Sequence, residues 1–218
     1  MQPVKYSRFL KRWVEKFDPE QAWLSAAGAT PPDRAEIQTA WQHVVALNTY
    51  DFDREARFLR NQTQAGLIYR LLNGADSFED TVRVKTQMAE AALHASLAHH
   101  RVILEQTFGT PSNPAFTILG LGKLGGRELN LSSDIDIFCV FAEDGKTSGL
   151  RTRHHSDYFT RLTQQFAKSL DALTVDGFVE RVDQRLRPWG SAGQLAIPVV
   201  ACEDYYEVHG RELSLIHI

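Results

Sequence analysis

The chain has 218 residues, 43% apolar and 23% charged, enough for one large or two small globular domains. Its net charge is −3, so no global basic field marks it for nucleic acid. No apolar run of about 20 residues exists to form a transmembrane helix, and the charged amphipathic start lacks a signal-peptide core.

The first 110 or so residues read as helices. Tyr6, Phe9, Leu10, Trp13, Val14 and Phe17 recur at helical spacing as one apolar stripe. Pro31-Pro32-Asp33 opens a second helix with Ile37, Trp41, Val44 and Val45 on one side. Asp51 is expected to cap a third, which stops at Leu72-Asn73-Gly74. Ser77 opens a long fourth, ending near Phe108-Gly109, with a small-residue seam through Met88, Ala91, Ala92, Ala95 and Ala98. The turn cluster "GTPSNP" (109–114) marks a domain boundary.

Beyond it the texture changes. Thr117-Ile-Leu is a short strand and Ile135–Phe141 an apolar one. Residues 153–173 are expected to be helical. Asp176-Gly177 leads into "FVERVDQRL", read as a central strand; "RPWGSAGQLAI" is a loop and short strand, and "VACEDYYEVHG" a last helix. The fold class is therefore α+β. Cys139 and Cys202 have neither disulfide nor metal spacing, so a reducing, cytoplasmic location is expected.

Two motifs lie close together in "TILGLGKLGGRELNLSSDIDIFCVF", residues 117–141. Gly120-Leu-Gly-Lys-Leu-Gly125 fits the G-x-G-x-x-G dinucleotide pattern. That fold needs a crossover helix of a dozen or more residues before the next parallel strand. Here only residues 126–133 intervene before Asp134, so the pattern fails its own context. It is not a phosphate-binding Walker loop either, because no Ser or Thr follows Lys123.

Asp134 and Asp136 are two residues apart in an expected strand and point the same way. Two carboxylates so placed repel unless a cation compensates, and Mg²⁺ is the hard cation that takes carboxylate and phosphate oxygens. Alone, a D-x-D more often caps a turn. Here a glycine turn with Lys123 precedes it, and a third carboxylate, Asp183, follows on another strand beside Arg185 and Arg187. Those two arginines suit phosphate or the carboxylates themselves. Ser132 and Ser133 are expected to cap the turn before the strand.

This layout resembles the polymerase-β-type nucleotidyltransferase superfamily. More closely, "GLGKLGGRELNLSSDIDIFCVF", "DGFVERVDQRLRPWGSAGQL", "EDYYEVHGRE" and "DFDREARFLRNQ" resemble the bifunctional glutamine synthetase adenylyltransferase/adenylyl-removing family of bacteria, over roughly residues 50–212. The resemblance implies a helical region (1–110), a nucleotidyltransferase core with a mixed sheet (111–200) and the start of a further helical region (201–218). It implies that Asp134, Asp136 and Asp183 ligate two Mg²⁺ ions and that Gly122 and Lys123 lie at the phosphate-binding turn. Together with Ser133, Arg185 and Arg187, that turn is expected to contact the nucleotide, whether ATP, ADP or AMP. It further implies glutamine synthetase as protein substrate and a PII-type signalling protein as regulator. The helical start and the wording of the second and third motifs are more similar to the half that removes AMP by phosphorolysis. Attachment of AMP from ATP is the alternative direction. A non-catalytic interaction module with vestigial aspartates is a separate alternative, which Mg²⁺-dependent nucleotide binding would distinguish.

After "GRE" the chain reads Leu213-Ser-Leu-Ile-His-Ile218, the translation of the transposon-end adaptor CTGTCTCTTATACACATC. A truncated reading frame with a non-native tail is expected. The adjacent pairs His99-His100 and His154-His155 are expected at the surface. Arg54, Arg57 and Arg60 form a helical stripe expected to be solvated, with contact to nucleotide or synthetase as the other option. Trp189 is expected to pack rather than stack on adenine.

Overall fold

The computed structural model describes residues 3–27 and 30–210. The proposed adaptor-derived tail, 213–218, lies outside the described residues. The fold is α+β, and the chain divides into two compact units. Among the described residues no helix is long and apolar enough to cross a membrane.

The first unit runs to Ala95 and takes in two later segments, 127–133 and 172–179. Helix α1 (Arg8–Phe17) is opened by Ser7, whose hydroxyl accepts from the Leu10 amide at 3.2 Å. Its stripe buries Leu10, Trp13 and Val14 against Leu24 of α2 (Ala22–Ala27) and Ala65 of α4 (Thr49–Leu72). The sequence reading missed α2, because six residues are too few to display a period. The buried Asp18 carboxylate starts it by accepting from the Trp23 and Leu24 amides at 3.1 and 2.9 Å. Helix α3 (Arg34–Val45) opens on a capping box between Asp33 and Glu36. Helix α4 (Thr49–Leu72) is capped by Asn48 rather than Asp51: the Asn48 side chain accepts from the Asp51 amide at 3.1 Å. Ser77 and Asp80 cap α5 (Phe78–Phe108) reciprocally. Between α4 and α5 the buried Arg70 guanidinium donates to both oxygens of Asp76 at 3.0 and 2.8 Å.

The arginine stripe on α4 is not a solvated face. Only Arg54 is exposed; Arg57 and Arg60 are buried. Arg57 donates to the carbonyls of Asp53, Ala172 and Gly177 at 2.7, 2.6 and 2.9 Å. Arg60 donates to the Val179 carbonyl and lies over the Phe178 ring. Asn61 donates to the Asp176 carbonyl at 3.0 Å. These side chains bind segment 172–179 to α4, a tertiary demand that local sequence does not announce.

The second unit holds residues 96–126, 134–171 and 180 onward. Its strands are β1 (Phe116–Leu121), β2 (Ile135–Phe141), β3 (Val182–Asp183) and β4 (Ala196–Pro198), with α6 (Gly122–Gly125), α7 (His155–Asp171) and α8 (Val199–His209). The sheet is mixed: β1 pairs antiparallel with β2, whereas β3 and β4 pair parallel with it. The antiparallel β1–β2 pair excludes a dinucleotide crossover at the glycines. Because β1 occupies one edge of β2, β3 and β4 share the other. The expected central strand at "FVERVDQRL" is therefore a two-residue piece beside the true centre, β2. Ile135, Ile137, Cys139 and Phe141 face one way, where Phe159 of α7 stacks on Phe141 with ring centroids 5.0 Å apart. Phe138 and Val140 face the other way and pack with Ile197, Cys202 and Tyr206.

The histidine expectation also needs correction. His99 and His100 are both buried, and Ala98 is exposed. Neighbours on a helix are about 100° apart, so a wide buried stripe accommodates two of them. Ser96, whose hydroxyl donates to the Phe166 carbonyl at 3.1 Å, extends that stripe. His154 is exposed, but His155 is fully buried between the Glu143 carbonyl and the Ser112 hydroxyl, at 2.7 and 3.2 Å.

Candidate active site

Strand register assembles the site. Asp136, second residue of β2, pairs across one edge with Leu121, the last residue of β1, and across the other with Asp183 of β3. Directly opposed residues project on the same face, so the Asp136 and Asp183 carboxylates stand together. Asp134 lies one strand period before Asp136, and the Ile135 amide donates to the Arg181 carbonyl at 2.9 Å, closing this end of the sheet.

Gly122 follows Leu121 at once, with φ of +50°. That left-handed conformation favours glycine. A Cβ placed there would stand 3.1 Å from an Asp136 carboxylate oxygen. The glycine therefore leaves open the space beside Asp136 that any other residue would fill. Lys123, next in α6, is exposed.

Each flanking carboxylate is held by an arginine. Arg181 Nε meets Asp134 Oδ1 at 2.5 Å, with both side chains about half exposed (51% and 49%). The Arg185 side chain grips Asp183 through Nε and Nη2 at 2.8 and 2.5 Å, and the Arg185 amide donates to Asp183 Oδ1 at 2.8 Å. Sequence reasoning missed Arg181. Its signal was present in the alternation Arg181, Asp183, Arg185, which places arginines two residues either side of an acid. Partial burial, then the charges of Asp183 and Asp134, raise the Asp136 carboxyl above its ordinary value. Hydrogen bonds from Arg185 lower Asp183.

The other expected residues lie as follows. Ser133 belongs to the first unit, where its hydroxyl donates to Asn130 Oδ1 at 2.9 Å. Arg187 lines the cleft, but its nitrogens donate to the carbonyls of Gln184, Ser191 and Gly193 at 2.7, 3.1 and 3.0 Å. It ties the 184–193 loop together, and a phosphate contact would require some of those bonds to break. Trp189 is half exposed and packs edge-on against Tyr205, centroids 4.9 Å apart. The thiol of Cys139 is pushed up to about 12 by burial, which leaves it unreactive.

A cleft of about 300 Å³ is lined by Asp134, Arg181, Val182, Asp183, Gln184, Arg185 and Arg187. Its donor chemistry, hard carboxylate oxygens with arginine forks beside them, suits a divalent cation and phosphate. The open space at Gly122 against Asp136 fits the same use. Among the described residues, no three His, Cys, Asp or Glu side chains form a coordinating group as placed. Asp134 and Asp183 are turned to their arginines instead.

A family model described as glutamate-ammonia ligase adenylyltransferase matches residues 3–214. A bifunctional glutamine synthetase adenylyltransferase/adenylyl-removing enzyme from Pseudomonas putida is 43% identical over 188 residues, covering 83% of this chain and 19% of that protein. Proteins of the same description from Ralstonia nicotianae and Nitrosomonas eutropha are each 35% identical, covering 96% of this chain and 23% and 24% of their own lengths. The chain thus spans about a fifth to a quarter of the curated relatives it matches.

Proposed function

This chain belongs to the glutamate-ammonia ligase adenylyltransferase family, and from that premise we propose that it carries an adenylyl-transferring site, Asp134–Asp136–Asp183, acting on glutamine synthetase. The preferred direction is removal of AMP from an adenylylated tyrosine by phosphorolysis. The observation that carries the reading is the register, which puts Asp136 between the Gly122 turn and Asp183. The direction is supported by the wording of "DGFVERVDQRLRPWG" and "DYYEVHGRE". Residues 111–200 are the proposed catalytic core, with helical regions before and after. The PII-type regulator is proposed for the full-length protein.

Asp134, Asp136 and Asp183 would hold Mg²⁺, two ions in the complete arrangement. When bound, Mg²⁺ neutralises phosphoryl oxygens and stabilises the leaving tyrosinate. Orthophosphate attacks the adenylyl phosphorus in line; its P–O bond forms as the bond to the tyrosine oxygen breaks. ADP departs, and the tyrosinate takes a proton from solvent. The Gly122 turn lets the backbone approach the phosphate without a side chain in the way, and Lys123 adds positive charge. Positioning and electrostatics account for the acceleration, as in phosphoryl transfer generally.

Asp134→Asn and Asp136→Asn test the assignment. Each is expected to lower turnover at least about a hundredfold, the order of loss seen on deleting one electrostatic stabiliser. Far-UV circular dichroism should stay unchanged. Wild-type rates in both variants would remove these carboxylates from the reaction.

A further inference from the structure

We infer that Arg181 and Arg185 are built-in counter-cations of the carboxylate cluster, which hold Asp134 and Asp183 until a divalent cation displaces them and then turn onto phosphate oxygens. This rests on the carboxylate reading above and deepens it. Arg181 and Arg185 stand two residues either side of Asp183, and each takes a different acid. The third acid, Asp136, is the one left without an arginine in contact among the described ion pairs.

The charges balance in a particular way. Three carboxylates and two guanidiniums leave one net negative charge. A single divalent cation replaces both guanidiniums without changing that balance. It also frees two planar forks, whose geometry matches phosphate oxygens bidentately. Both pairs are placed to release. The Arg181–Asp134 pair is half exposed on each side, and the Arg185 side chain is 81% exposed against 16% for Asp183, so solvent reaches both arginines and can take the guanidiniums back. Both arginines line the same cleft, within reach of one phosphate-bearing ligand. Arg187, in the same cleft, has its nitrogens fastened to three backbone carbonyls.

The test is Mn²⁺ binding to the chain without nucleotide, read from the electron paramagnetic resonance signal of free Mn²⁺. Arg181→Gln and Arg185→Gln should each bind Mn²⁺ about fivefold tighter, while ADP affinity in saturating Mn²⁺ falls by a similar factor. Arg181→Lys should stay closer to wild type on both readouts. Unchanged or weaker Mn²⁺ binding in both Gln variants would overturn the inference, as would ADP binding that strengthens in them. Asp136→Asn separates the two levels. If it loses Mn²⁺ while the Gln variants gain nothing, the counter-cation role fails and the carboxylate site stands. If it binds Mn²⁺ as wild type does, the site itself fails and the inference with it.

Discussion

Replacing Arg57 by alanine should cost far more stability than an exposed arginine on the same helix. The Arg57 side chain is 2% exposed and donates to three carbonyls, two of them on segment 172–179. The losses are unequal. Gly177 O keeps the Thr174 amide and hydroxyl, each at 3.0 Å, so it suffers least. The Ala172 carbonyl loses the shortest bond, 2.6 Å, and with it a charged donor. Hydrogen bonds to charged groups contribute about 1.5–3 kcal/mol each, but they are not additive, and removing a buried charge returns part of its desolvation cost. A net loss of about 3–4 kcal/mol is therefore expected. For a chain of this size each kcal/mol moves Tm by about 2–4 °C, so Arg57→Ala should melt about 10 °C below wild type. Arg54→Ala is the comparator: its ion pairs with Asp51 and Glu55 are surface pairs, and the shift should stay within about 2 °C. Thermal melts followed by circular dichroism decide it. Equal, small shifts in the two variants would refute the claim that Arg57 fastens segment 172–179.

Gly122→Ala combines a left-handed φ with a Cβ placed 3.1 Å from Asp136; about 1–2 kcal/mol of stability should go, and turnover should fall further than that loss explains, with turnover within twofold of wild type counting against the site. Burial, then the charge of His99, pushes His100 from 6.5 down to about 4. The folded state prefers its neutral ring, so this contribution is complete above pH 6.5 and is lost as pH falls toward 4; urea midpoints of His100→Gln should drop less steeply across that window. Asp76→Ala would leave the buried Arg70 guanidinium without its carboxylate and cost about 3–5 kcal/mol. The double change Arg70→Met with Asp76→Leu should recover most of that in the same urea titration.

Sequence legibility followed the range of the interactions. Helix α1 could be read from its apolar stripe, and α3 and α5 because Asp33 and Ser77 act within one turn. The α+β class and the apolar β2 strand were legible for the same reason. What depended on distant partners was not. Arg57 and Arg60 look like a polar face until segment 172–179 returns to cover them. The His99–His100 pair looks exposed until its neighbours close around α5. At the candidate site, Asp134, Asp136 and Asp183 stood out, and Arg185 could be read as a partner for the carboxylates, but Arg181 could not. Arg181 was passed over because nothing local ties it to Asp134, 47 positions earlier in the chain. Arg187 looked equivalent to Arg185, yet the carbonyls of the 184–193 loop bind it.

The most direct measurement is ADP release when the chain meets adenylylated glutamine synthetase, orthophosphate and Mg²⁺, run beside Asp136→Asn. Release by wild type that disappears in Asp136→Asn is the expected result, and it fixes both the carboxylate chemistry and the removing direction. Equal ADP release by the two proteins, or AMP incorporation from ATP with no release, would contradict the removing site built on Asp136.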